Sequence, residues 1–323
     1  KTAATSGTVG MLLAGIAIAG PPAGGVEPQA AQPSALKVVE LPESGGQILS
    51  YRHLAASTEV YMRGTRLAPD ARVKLKIGSR PGFVELDINR GGITGLKPAF
   101  HLGRDYLTYV LWAVSIDGRA SNLGEITFEG EAAIPVNLTT PYQTFWLMAT
   151  AEPNYAVVDP SSRIVLYSVK QGSTTSKIGA IPISGDMFFY THYAVYDSTP
   201  GGEPNGEPNQ LLQARKALEL ATKSAKGIEA HAAEAPKEDR YRREAVNQAK
   251  TSLARAEDAY KQNGRGQEVI QFARTAAQSA ENARALAMGV VGGVVARQLQ
   301  NELITVRGEL ARLQAAEAAA ASH

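Results

Sequence analysis

Close to residue 206 the chain changes character, and that change limits what it can fold into. Residues 1–206 hold 24 of the 31 glycines and 15 of the 17 prolines, whereas residues 207–323 hold only Pro208 and Pro236 but 28 alanines. Glycine and proline punctuate turns between short elements, and alanine is the strongest helix former, so the two parts belong to different structural classes. The junction, Asp197-Ser-Thr-Pro-Gly-Gly-Glu-Pro-Asn-Gly-Glu-Pro-Asn209, contains no apolar residue and reads as a linker. The expected fold class is multidomain β plus α. It comprises a leader (1–33), a β domain (34–196), the linker (197–209), a three-helix module (210–288) and a helical stalk (289–323).

In the first part, short runs rich in β-branched and aromatic residues alternate with turn signals. Strands are expected near Thr58–Arg63, Arg72–Ile77, Phe83–Asn89, Leu107–Ser115, Glu125–Phe128, Ile134–Leu138, Thr144–Thr150 and Arg163–Val169. Val73-Lys-Leu-Lys-Ile77 and Phe83-Val-Glu-Leu-Asp-Ile88 alternate strictly, so each can bury one face and wet the other. Leu107-Thr-Tyr-Val-Leu-Trp-Ala-Val114 is nearly all apolar and reads as a central strand that enters a hairpin at Asp117-Gly118. Eight or so such strands without intervening helical periodicity predict an antiparallel β-sandwich. The aromatics Tyr106, Tyr109, Trp112, Tyr142, Phe145 and Trp146 suit its core, with a sugar-binding platform as the other reading. Further edge strands are expected within 176–196.

In the second part, Leu211, Ala214, Leu218, Ala221, Ala225, Ile228, Ala232 and Ala235 recur at spacings of three and four. That is a helical seam written mostly in alanine, which lets helices approach closely. Pro236 restarts the chain as a second helix with Glu238 and Asp239 in its first turn, and Asn263-Gly264 stops it. A third helix begins near Gln267. Its outer seam, Leu299, Leu303, Val306, Leu310 and Leu313, has the spacing of a coiled coil on a rod too long for the hairpin beside it. These leucines, with Tyr109, Trp112 and Trp146, are the candidate interaction residues.

The alanine seams of 211–288, the Ala235-Pro236 break, Tyr241, Tyr260 and the Asn263-Gly-Arg-Gly266 turn resemble a known module. It is the alanine-rich three-helix module of bacterial envelope proteins, which is commonly followed by an OmpA-type peptidoglycan-binding domain. Tyr106-Leu-Thr-Tyr-Val-Leu-Trp-Ala-Val-Ser-Ile-Asp-Gly-Arg-Ala-Ser-Asn-Leu-Gly-Glu125 and Gln143-Thr-Phe-Trp-Leu-Met-Ala-Thr-Ala-Glu-Pro-Asn-Tyr-Ala-Val157 resemble the β domain of the same proteins. The resemblance implies a structural role in the envelope, with association to peptidoglycan or the outer membrane. Where that family continues into the OmpA-type domain, this sequence ends in Glu317-Ala-Ala-Ala-Ala-Ser-His323. The wall-gripping acid and arginine therefore have no counterpart, and no site residue carries over.

Val9-Gly-Met-Leu-Leu-Ala-Gly-Ile-Ala-Ile-Ala-Gly20, with Lys1 before it and Ala17-Ile-Ala19 within it, reads as a secretory signal. The other reading is a buried apolar segment. Neither this run nor Gly289-Val-Val-Gly-Gly-Val-Val295 is long enough to span a bilayer. With 33 Lys plus Arg against 31 Asp plus Glu, nucleic acid is not an expected partner, and the lack of cysteine excludes disulfides and thiol chemistry. His53, His101, His192, His231 and His323 stand singly, and Asp87, Asp105 and Asp117 fit no calcium-loop spacing. No nucleophile, phosphate-loop or dinucleotide motif is present, so no catalytic residue, metal or cofactor is expected. The expectation is a non-enzymatic, exported envelope scaffold, with a β head for docking and a stalk for spacing or self-association. A carbohydrate- or small-ligand-binding module is one alternative, and an accessory subunit of a membrane or filament assembly is another.

Overall fold

The computed structural model describes residues 47–51, 56–115, 119–129, 132–169, 180–182, 206–229 and 235–321. The leader, the Asp117-Gly118 turn, most of the linker and most of 176–196 lie outside the described residues.

The strands are β1 (Gln47–Ser50), β2 (Thr58–Gly64), β3 (Arg72–Arg80), β4 (Phe83–Ile88), β5 (Ile93–Thr94) and β6 (Thr108–Val114). They continue with β7 (Ala120–Ile126), β8 (Phe128–Glu129), β9 (Ala132–Ala133), β10 (Val136–Thr140), β11 (Thr144–Glu152), β12 (Ile164–Val169) and β13 (Ala180–Pro182). Apart from the small β8–β9 hairpin, all belong to one antiparallel sheet. Its main circuit runs β10-β4-β3-β2-β12-β11-β6-β7, and β7 returns close to β10. The β domain is therefore nearly barrel-shaped, which corrects the expected two-sheet sandwich. Both architectures need the same inward-outward alternation, so residue pattern alone does not choose between them.

Closure comes from local geometry. The β6–β7 register shifts between Leu111 and Trp112, and β11 shifts against β12 at Ala149/Thr150. Such bulges bend and twist a sheet. At the rim, Gly124 has φ 146°, and a Cβ there would lie 2.8 Å from Leu138 Cδ2 of β10. Glycine thus lets β7 and β10 come together.

The interior holds Val60, Met62, Val73, Leu75, Ile77, Leu86, Leu111, Phe145 and Leu147. In β3 the wetted residues Arg72, Lys74 and Lys76 alternate with this core, as the sequence suggests. β6 is buried along its whole length because its two faces serve two clusters. Tyr109, Leu111 and Ala113 join the interior, while Val110, Trp112 and Val114 join an outer cluster with Ile48, Trp146, Met148 and Val157.

The helices are α1 (Asn209–Glu229), α2 (Pro236–Asn263) and α3 (Gln267–Ala321). α3 packs on both of the others through Ala273, Ala276, Ala277, Ala280 and Ala283, facing Leu211, Ala214, Ala217 and Ala221 of α1 and Ala249 and Ala256 of α2. The first turn of α2 holds buried Asp239, which accepts from Arg242 and Arg243 at 2.7 Å each. A carboxylate there also complements the helix N-terminus. α3 is a single helix of 55 residues, about 83 Å long at 1.5 Å per residue. It continues without interruption through Gly289, Gly292 and Gly293, and nothing lies within 4 Å of a Cβ built on any of them. Among the described residues, no helix is long and apolar enough to cross a membrane.

Candidate functional site

The polar side chains that are most deeply organised lie where the barrel meets α1 and α3. Glu125 of β7 is at the centre. Its Oε1 accepts from Thr108 Oγ1 of β6 at 2.7 Å and from Gln213 Nε2 of α1 at 2.5 Å, and its Oε2 accepts from Arg274 of α3 at 2.8 Å. Gln213 Oε1 in turn accepts from the Tyr155 N–H at 2.8 Å. The Arg274 guanidinium sits 4.6 Å over the Tyr155 ring, and the Tyr155 hydroxyl donates to the Arg274 carbonyl at 3.0 Å. Asn122 Nδ2 holds the same loop by donating to the Tyr155 and Val157 carbonyls. At the margin, Lys216 of α1 pairs with Asp105 at 2.8 Å, and Asn209 Nδ2 donates to the Leu107 carbonyl.

These contacts hold the β domain against the helical module. Substituting Tyr155→Phe removes one hydrogen bond at the joint while keeping its ring. A loss of about 1 kcal/mol in urea unfolding is expected, with the barrel and helices still unfolding together.

Next to this joint lies a buried acid. Glu152, at the end of β11, is fully enclosed. Its Oε1 accepts from Thr150 Oγ1 at 2.5 Å and from the Ser161 N–H at 2.6 Å, and Thr150 Oγ1 accepts from Trp112 Nε1 at 2.7 Å. Its Oε2 has no partner among the described residues. Burial pushes the Glu152 carboxyl up to about 8, and the Glu281 carboxylate of α3 adds to the rise against the hydrogen bonds from Ser161 and Thr150 that lower it. Glu281 is 0% exposed and is balanced by a bidentate pair with Arg284, 4% exposed, one turn along. Glu152 therefore keeps its proton at neutral pH, and Glu281 is paired with its arginine.

The sequence candidates fall into two groups. Trp112 is 0% exposed, and Trp146 and Tyr109 are 1% exposed. The Tyr109 hydroxyl donates to the Lys97 carbonyl at 2.8 Å. These three pack the β domain, which corrects the platform reading: their rings carry too much apolar area to be left wet when two sheet faces compete for them. Leu303 and Val306 are 50% and 60% exposed. Leu299, Leu310 and Leu313 lie on the same helix.

Asp105 serves the pair with Lys216 rather than a cation loop. Among the described residues, no group of three or more His, Asp or Glu side chains could hold a metal. A shallow surface depression of about 440 Å³ gathers Arg63, Arg72 and Lys74, but Arg72 donates to the Pro69 and Ala71 carbonyls and Lys74 pairs with Glu59. The sequence reading missed Glu125, Tyr155, Gln213, Arg274 and Glu281. Their one visible signal is a polar residue inside an apolar period, such as Gln213 between Leu211 and Ala214. No protein family, curated protein or solved structure matches the chain.

Proposed function

We propose that the chain is a non-enzymatic structural protein of the bacterial envelope, in which the β domain is the head and the end of α3 is an arm that joins copies of the protein. The observation that carries this reading is the exposure of Leu303 and Val306 on a helix that has left its bundle behind. Among the described residues, the packing of α3 on the module that lies furthest along it is Ala287 and Val290 against Ala235. The remaining residues, 291–321, would extend about 46 Å further as helix. An isolated helix with a half-exposed apolar stripe is stabilised by covering that stripe, because helical propensity alone gives little.

The joint centred on Glu125 supports the same reading, since a head fixed to its arm transmits position. Export and envelope location rest on the apolar leader and on the resemblance to alanine-rich envelope modules. Self-association is tested by removing residues 297–323, which leaves the joint and the alanine core intact. Sedimentation is expected to show an assembly for the whole chain and a monomer for the shortened one. Equal assembly by both would mean that another surface joins the copies.

A further inference from the structure

Two seams run along α3, and they face different ways. The inward one, Ala273, Ala276, Ala280, Ala283, Ala287 and Val290, is buried against α1 and α2. The outward one contains Leu303 and Val306. Counted backwards at the same alternating spacing it reaches Ala296, Gly292 and Gly289, and counted forwards it reaches Leu310 and Leu313. The two seams are offset by two residues, about 200° around a helix. Gly289 and Gly292 are exposed with open space above them, so the outward face is clear at these two positions beside the bundle.

We propose that this face is the interface for a second copy of the chain, joined as a parallel, in-register coiled coil. The proposal rests on the self-association reading and fixes its geometry. The charges beside the seam decide the direction. With Leu303 and Leu310 at position a and Val306 at position d, Glu302 and Glu309 occupy g, and Arg307 occupies e. Glu302, Leu303, Val306 and Arg307 are all exposed.

In a parallel pair each g residue meets the e residue five positions on in its neighbour, which places Glu302 of one chain against Arg307 of the other, twice per interface. In an antiparallel pair g faces g. In the antiparallel register that faces Leu299 with Leu310 and Leu303 with Val306, the carboxylates of Glu302 and Glu309 would then oppose one another. Parallel pairing also puts both β heads at the same end of the arm, with α1 and α2 turned away from the contact.

The chain has no cysteine, so single replacements report the geometry directly. Leu299→Cys and Leu313→Cys, each in the whole chain, sit at opposite ends of the seam, and Thr305→Cys lies off it. Under mild oxidation both seam variants are expected to form a disulfide between copies, and Thr305→Cys is expected to form little. Glu302→Lys should weaken association about tenfold, and Glu302→Lys with Arg307→Glu should restore it. Cross-linking at only one seam position, or at neither while light scattering still shows assembly, would overturn the parallel register but leave self-association standing. A monomer by light scattering for the unsubstituted chain would remove both.

Discussion

Raising the pH from about 5 to about 9 is expected to lower the stability of the chain by an amount on the order of 4 kcal/mol through Glu152 alone, and Glu152→Gln is expected to remove that part. The direction follows from proton binding. In the native state the enclosed carboxyl keeps its proton up to about 8, whereas in the unfolded chain it releases it near 4.5. Between those values the native state binds the extra proton, so stability falls as pH rises through the window. Below 4.5 both states are protonated and the cost is absent. Above 8 it is complete. Glutamine keeps the acceptor that Thr150 and Ser161 use, and it has no charge to desolvate. Urea unfolding of both chains at the two pH values checks the claim. Parallel pH curves for the two proteins would show that Glu152 is not held neutral.

Glu281→Ala is expected to cost about 3–5 kcal/mol, because it leaves the Arg284 guanidinium enclosed without a counter-charge. The two side chains are only 0% and 5% exposed, so water cannot take the place of the carboxylate. The variant also withdraws the acceptor from the Val158 N–H, which Glu281 Oε1 meets at 3.3 Å. Replacing both partners by apolar residues, Glu281→Leu with Arg284→Met, should recover most of the loss, since the penalty comes from the unpaired charge and not from the missing bond. The pair between Arg240 and Glu244 is the contrast. At 3.8 Å and about two-thirds exposed on both sides, its removal should change stability by less than about 0.5 kcal/mol. Thermal unfolding of the three variants ranks them. A similar loss in the Glu281 and Glu244 variants would contradict the burial argument.

The elements that could be read from the sequence are those that follow one periodicity. Val73, Leu75 and Ile77 stand out because Lys74 and Lys76 between them are wetted, and the strand they mark is present as β3. The alanine seams mark α1, α2 and α3 because a helix presents every third and fourth residue to one side. β6 shows as a central strand because a run buried on both faces is apolar almost throughout, while nothing in it marks the two separate clusters that its faces serve. The near-closure of the sheet was hidden because it depends on bulges and on Gly124 against Leu138, none of which alters the residue pattern.

The joint was hidden for a different reason. Glu125 meets Gln213 across 88 residues and Arg274 across 149, and no local rule links such distant polar residues. In the sequence Glu125 is only the start of a strand. In the structure it ties together β6, β7, α1 and α3, and the head and arm depend on it.

The most direct test of the account is the molar mass of the whole chain by light scattering across a wide concentration range. Association through the outward face of α3 predicts a mass that reaches at least twice the 34.2 kDa of one chain and falls toward that value on dilution. A mass of 34.2 kDa throughout, with Leu303 and Val306 still wet, would contradict it.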